Sequence, residues 1–77
     1  MKEFIEFIAK HLVDHPEGVT IEVKSSEDNK YILALKVQPD DVGKVIGKQG
    51  KTAQAMRTLL TAVAAKEGKR AILEILD

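Results

Sequence analysis

The sequence predicts an α+β domain, in the order α-β-β-α-α-β, with three helices on one face of a three-stranded mixed sheet. Three observations carry that expectation. Apolar residues recur at helical spacing near the start of the chain and again over residues 51–68. Three short stretches alternate apolar and polar residues, the period of strands with one buried face. About thirty residues of mostly helical pattern separate the second of those stretches from the third.

Residues 3 to about 14 read as a helix, because Phe4, Ile5, Ile8 and Leu12 fall at three- and four-residue spacing with Lys10 on the opposite side. Pro16 and Gly18 stop it. In "VTIEVKSS", Val19, Ile21 and Val23 alternate with Thr20, Glu22 and Lys24, and "SSEDNK" is a turn cluster. "YILALKVQ" places Tyr31, Leu33, Leu35 and Val37 on one face; Ile32 and Ala34 make its other face partly apolar, which favours a more central strand. Pro39, Asp40 and Asp41 open a short helix, "DDVGKVI", with the two carboxylates read as a cap. That helix breaks at Gly47 and restarts at Lys51. "KTAQAMRTLLTAVAAKEG" then carries an apolar stripe of Ala53, Met56, Leu59, Leu60, Val63 and Ala64, and Gly68 caps its end. In "RAILEIL", Ala71, Leu73 and Ile75 alternate with Arg70 and Glu74 as a third strand.

Connection rules supply the topology. A turn of a few residues makes the first two strands an antiparallel hairpin, and the long helical link has the length of a right-handed crossover between parallel neighbours. Lys24, Lys36 and Arg70 keep the uncovered face of the sheet polar.

Seventy-seven residues make one domain, 1–77, sharing a single core. With no cysteine, disulfides and thiolate metal sites are excluded. No segment approaches the roughly 18 apolar residues of a membrane span, and "MKEFIEFIAKHL" is too interrupted by charge for a secretory signal. A soluble, cytoplasmic protein with no membrane insertion is the expectation. The formal net charge is zero, yet Val42 through Lys66 contain no acid while Lys44, Lys48, Lys51, Arg57 and Lys66 are basic. A neutral chain can therefore present one positive face.

The glycine motif "GKQGKT", Gly47–Thr52, lies inside that stretch. A nucleotide-triphosphate loop needs another glycine five residues before Gly50, where Val45 stands, and it must leave a strand rather than a helix. Two readings remain. One is a plain helix–turn–helix corner, since glycine commonly ends one helix and starts a turn. The other is a clamp for a polynucleotide backbone. Bare glycines allow close approach, amides at a helix start point at phosphates, and Lys48 and Lys51 add charge. Lysine at a helix start opposes the macrodipole unless an anion sits there.

"VGKVIGKQGKTAQAMRTLL" resembles the signature of a KH domain, in which a Gly-x-x-Gly loop between two helices grips about four nucleotides of single-stranded nucleic acid. The element order is similar to the type II arrangement, with a core motif over about 30–77, and the whole chain resembles the small single-KH bacterial RNA-binding proteins of the KhpA family. The resemblance implies that Gly47 and Gly50 are hinge glycines and that Lys48 and Gln49 are the exposed pair against the sugar-phosphate backbone, with Thr52 in the first turn beyond. Gly43 would let the short helix lie close to bases or to its neighbour helix; Val42 and Ile46 would line an apolar groove, with Val45 in the core. Lys44, Lys51 and Arg57 would form the electrostatic rim. Phe4, Phe7 and Tyr31 are the only phenyl or phenol rings and stand away from the loop, so little base stacking is expected.

The resemblance further implies single-stranded RNA as ligand, a homodimer or a heterodimer with a larger KH protein of the Jag (KhpB) type, and RNA-chaperone work linked to cell-envelope growth and cell length. A protein–protein interaction module that keeps the fold without using RNA is the alternative. His11 and His15 have chelate spacing but no convincing third ligand, and no serine or histidine arrangement suggests a nucleophile. Neither a metal, a cofactor nor an enzymatic activity is expected.

Overall fold

Local periodicity does set the helices, though their ends differ from the expectation. The computed structural model describes residues 1–25 and 29–76, without the side chain of Ser25, so half of the "SSEDNK" turn, residues 26–28, lies outside the described residues. Helix α1 spans Lys2–Leu12 and buries Ile5 and Ala9. It ends two residues earlier than expected because Val13 turns extended (φ −98°, ψ 160°) while its N–H still bonds to the Ala9 carbonyl. That turn sends Val13 into the core and leaves Leu12 exposed. One i, i+4 pair, Glu6–Lys10 at 3.8 Å, supports the outer face.

Strands β1 (Thr20–Ser25), β2 (Lys30–Lys36) and β3 (Arg70–Ile75) form one sheet in the order β1-β2-β3. β1 runs antiparallel to β2 with Ile21 opposite Leu35, and β3 runs parallel to β2 with Leu33 opposite Leu73. The central place of β2 agrees with its two-sided apolar pattern. On the uncovered face Ala34 is buried between Glu22 and Glu74, its cross-strand neighbours, while Lys24 reaches Glu74 at 4.0 Å. Val23, expected inside, is 43% exposed because it lies on the edge strand beside a shallow depression rimmed by Met1, Lys2 and Tyr31.

After β2 come a 3₁₀ turn, Pro39–Asp41, helix α2 (Val42–Ile46), a second 3₁₀ turn, Lys48–Gly50, and helix α3 (Lys51–Lys66). α3 closes with the Lys69 N–H on the Ala64 carbonyl and the Gly68 N–H on the Ala65 carbonyl, the paired bonds of a Schellman ending. One core unites all three helices with the same sheet face: Ile5, Ala9, Val45, Met56 and Leu60 pack with Ile21, Leu33, Leu35 and Leu73. Burying a side chain such as Leu60 contributes roughly 1.5–3 kcal/mol. Leu59, expected on the same stripe, is 47% exposed. Adjacent helical residues are about 100° apart, so with Leu60 pointing straight into the core its neighbour cannot. Among the described residues no helix is long and apolar enough to cross a membrane.

Candidate nucleic-acid interface

α2 is five residues long, so its position depends on what holds it rather than on its own helical stability. Val45, fully buried, anchors one face. At its start Asp41 is also fully buried, the only buried charged residue among those described. Its carboxylate does not cap α2, as the residue pattern suggested. It accepts instead from the backbone N–H of Asp14 at 3.2 Å and of His15 at 2.9 Å, in the loop after α1. Asp40 is exposed and likewise gives α2 no side-chain cap.

At the other end the chain makes a corner whose backbone only glycine suits in part. Gly47 has φ 77° and ψ 173°, a region essentially restricted to glycine. A Cβ there would sit 2.6 Å from Thr52 Cβ and 2.9 Å from the Thr52 amide nitrogen. Thr52 therefore closes the inner side of the corner. Gly50 is left-handed (φ 74°, ψ 11°), but a Cβ there would meet nothing within 4 Å. Between them Gln49 also adopts positive φ, 58°, uncommon for a residue with a side chain.

The corner's internal bonds run from the Gly47 N–H to the Gly43 carbonyl, from the Gly50 N–H to Gly47, and from the Lys51 N–H to Lys48. Among the described residues the amides of Lys48 and Gln49 find no main-chain acceptor, and no side chain caps the start of α3. Lys48, Gln49 and Lys51 are exposed, and neither lysine forms an ion pair among the described residues. An open end of a sixteen-residue helix, flanked by two cations, is chemically an anion-receiving surface.

The remaining expected positions divide. Lys44 is not a free rim charge: its Nζ lies 3.1 Å from the Asp14 carboxylate. Its pKa is raised above the usual lysine value by the hydrogen bond and charge of Asp14, with lesser help from Asp41 and Asp40. Arg57 is exposed but turns one N–H toward the Leu73 carbonyl of β3, at 3.4 Å. Gly43 is exposed with open space where a Cβ would be, so close packing does not require a glycine there. Val42 lines an apolar groove of about 430 Å³ together with Lys36, Val37, Pro39 and Leu76. Ile46 is half-buried but does not line it. The other walls of that groove escaped the sequence reading because they come from two separate segments, residues 36–39 and Leu76, joined when the Leu76 N–H bonds to the Leu35 carbonyl. The histidine pair goes to separate partners: His11 Nδ1 donates to the Phe7 carbonyl at 2.8 Å, and His15 leans to Glu17 at 3.8 Å.

The family model described as "KhpA/KhpB, KH domain" matches residues 2–75. The chain belongs to the KhpA/KhpB KH family. Curated relatives named RNA-binding protein KhpA include that of Clostridium perfringens, 53% identical over 76 residues, which cover 99% of this chain and all of the relative. Those of Aquifex aeolicus and Chlamydia trachomatis are each 46% identical, over all of this chain and 96% and 97% of theirs. The α-β-β-α-α-β order and the mixed sheet are those of a KH domain, and in this family member Gly47–Gly50 is the Gly-x-x-Gly segment.

Proposed function

We propose that the chain, acting as one KH domain over residues 1–77, binds single-stranded RNA across the Gly47–Gly50 corner. The observation that carries the reading is that corner's openness. Among the described residues it joins unpaired Lys48 and Gln49 amides, an α3 start without a side-chain cap and exposed Lys48 and Lys51 in one place. Phosphates would sit against the amides and lysines, with Gln49 donating to phosphate or sugar and Thr52 fixing the corner behind them. Bases would lie toward the apolar groove at Val42, past Gly43 and Ile46, with Arg57 and Lys44 at its charged margins. With no aromatic platform and few cations, a single domain grips weakly, and tightness comes from a second module. The relatives' name as RNA-binding proteins points the same way.

The finer role we propose rests on the resemblance to the KhpA family: an RNA chaperone of the cytoplasm, linked to cell-envelope growth and cell length, without catalysis. It would work as a homodimer or beside a larger KH protein of the KhpB type. One observation favours the other reading, a protein-interaction module. Phe7 and Leu59 stand 63% and 47% exposed on two helices, surface that a protein partner could cover.

The test is ultraviolet crosslinking to RNA with Lys48→Glu combined with Gly50→Asp. This pair avoids Gly47, where any side chain strains the backbone, so the fold should persist by circular dichroism while crosslinking is lost. Unchanged crosslinking rejects RNA as the ligand of this corner. A salt titration of the wild-type protein should give a log–log slope of roughly −2 to −3, at about 0.7 per single-strand phosphate contact.

A further inference from the structure

Asp41 is the one charged residue among those described that the core encloses completely, and the proposed RNA contacts make no use of it. Burying a carboxylate is unfavourable unless hydrogen bonds compensate it. Here the compensation is long-range. The two donors are the Asp14 and His15 N–H groups, 27 and 26 residues earlier in the chain. The same α1–β1 loop supplies the Asp14 carboxylate that holds Lys44, one turn into α2. Two contacts thus join one loop to successive turns of a helix too short to hold itself.

The opposite end of that helix is Gly47. Through five residues, about 7.5 Å of rise, any rotation or shift of α2 at Asp41 is passed to the corner. There the Gly47 N–H is bonded back to Gly43, and Thr52 leaves no slack behind Gly47. A displaced α2 therefore moves the Lys48 and Gln49 amides relative to the start of α3.

We infer that Asp41 is a positioning residue for the Gly47–Gly50 clamp, setting its geometry through α2 by tying that helix to the Asp14–His15 backbone. The inference rests on the clamp reading above, and its test separates the two. Asp41→Asn keeps the shape and one acceptor but presents an N–H to the second donor. At a temperature where both proteins are fully folded, its affinity for a fluorescent twelve-nucleotide uridine oligomer should fall roughly fivefold to tenfold. Amide hydrogen exchange at Gly47, Gly50 and Lys51 should speed up in the protein without RNA, with β2 unaffected.

Ile21→Val, a core change on β1 that also lowers the melting temperature, should leave both readouts at the wild-type value. A merely structural role for Asp41 predicts that the two variants behave alike, and that outcome overturns the inference. So does wild-type exchange at the corner in Asp41→Asn. If the wild-type protein fails to bind the oligomer, the clamp reading falls, while the exchange comparison still decides whether Asp41 positions the corner. Should Asp41→Asn be unfolded, Asp41→Glu, which keeps the charge and moves it by one methylene, is put through the same two measurements.

Discussion

The two ends of α2 are built in opposite ways. At the start, Asp41 is sealed in the core with both carboxylate oxygens engaged, and Lys44 is paired with Asp14. At the finish, Gly47 opens a corner where Lys48 and Gln49 are exposed and their amides unmatched among the described residues. The difference teaches how a five-residue helix can carry the loop proposed above to bind RNA. Polar groups left unsatisfied at the open, exposed end are tolerable because water can serve them. The polar groups on the other side are instead satisfied, and on the inference above they hold the helix that presents the corner.

The largest effect should fall at the sealed end. Asp41→Ala removes the acceptor for two part-buried backbone N–H groups and should lower stability by about 3 kcal/mol, measured by urea unfolding. A loss under about 0.5 kcal/mol would mean that the carboxylate is no anchor. At the open end the two glycines should separate. Gly47→Ala faces both a glycine-only backbone and Thr52 and should cost about 2 kcal/mol. Gly50→Ala meets only the left-handed penalty, about 1 kcal/mol. Equal costs in the same unfolding assay would remove the role assigned to Thr52.

The smallest effect sharpens the contrast by pH. The Lys44 pKa in the folded protein lies above 10.5 because of Asp14. A raised lysine pKa contributes stability that is present in full below the unfolded value and lost as pH rises through the folded one. The stability difference between wild type and Lys44→Gln should therefore be flat from about pH 6 to 9 and vanish only in the alkaline range. The pair is exposed, so the difference is small throughout. A difference that varies between pH 6 and 9 would implicate another group.

The elements were legible because each announces itself within a few neighbours. Alternation of Ile21 with Glu22, or the spacing of Met56, Leu60 and Ala64, is visible in any short window, and the length of the link between β2 and β3 implied parallel pairing. Val45 was rightly assigned to the core and the glycine corner was placed correctly. The misplacements have a common origin in packing geometry. Leu59 and Leu60 are equally apolar, and only the rotation of α3 against β3 decides which is covered. Val23 alternates correctly but lies toward the end of an edge strand, beside the depression at the start of α1 that leaves it exposed. Asp41 had the local pattern of a cap, yet its partners lie on another element.

The sequence alone determined the order of elements, the central position of β2 and a corner between two helices that needs glycine. All of these follow from backbone preferences and periodicities carried by adjacent residues. Tertiary structure alone decided that Asp41 is buried on the Asp14–His15 loop, that Lys44 is paired and that Leu76 joins Val42 in the groove. Those outcomes depend on which distant groups the sheet register and helix packing bring within a few ångströms. A hydrogen bond or a buried charge has no energy to speak of until that distance is set.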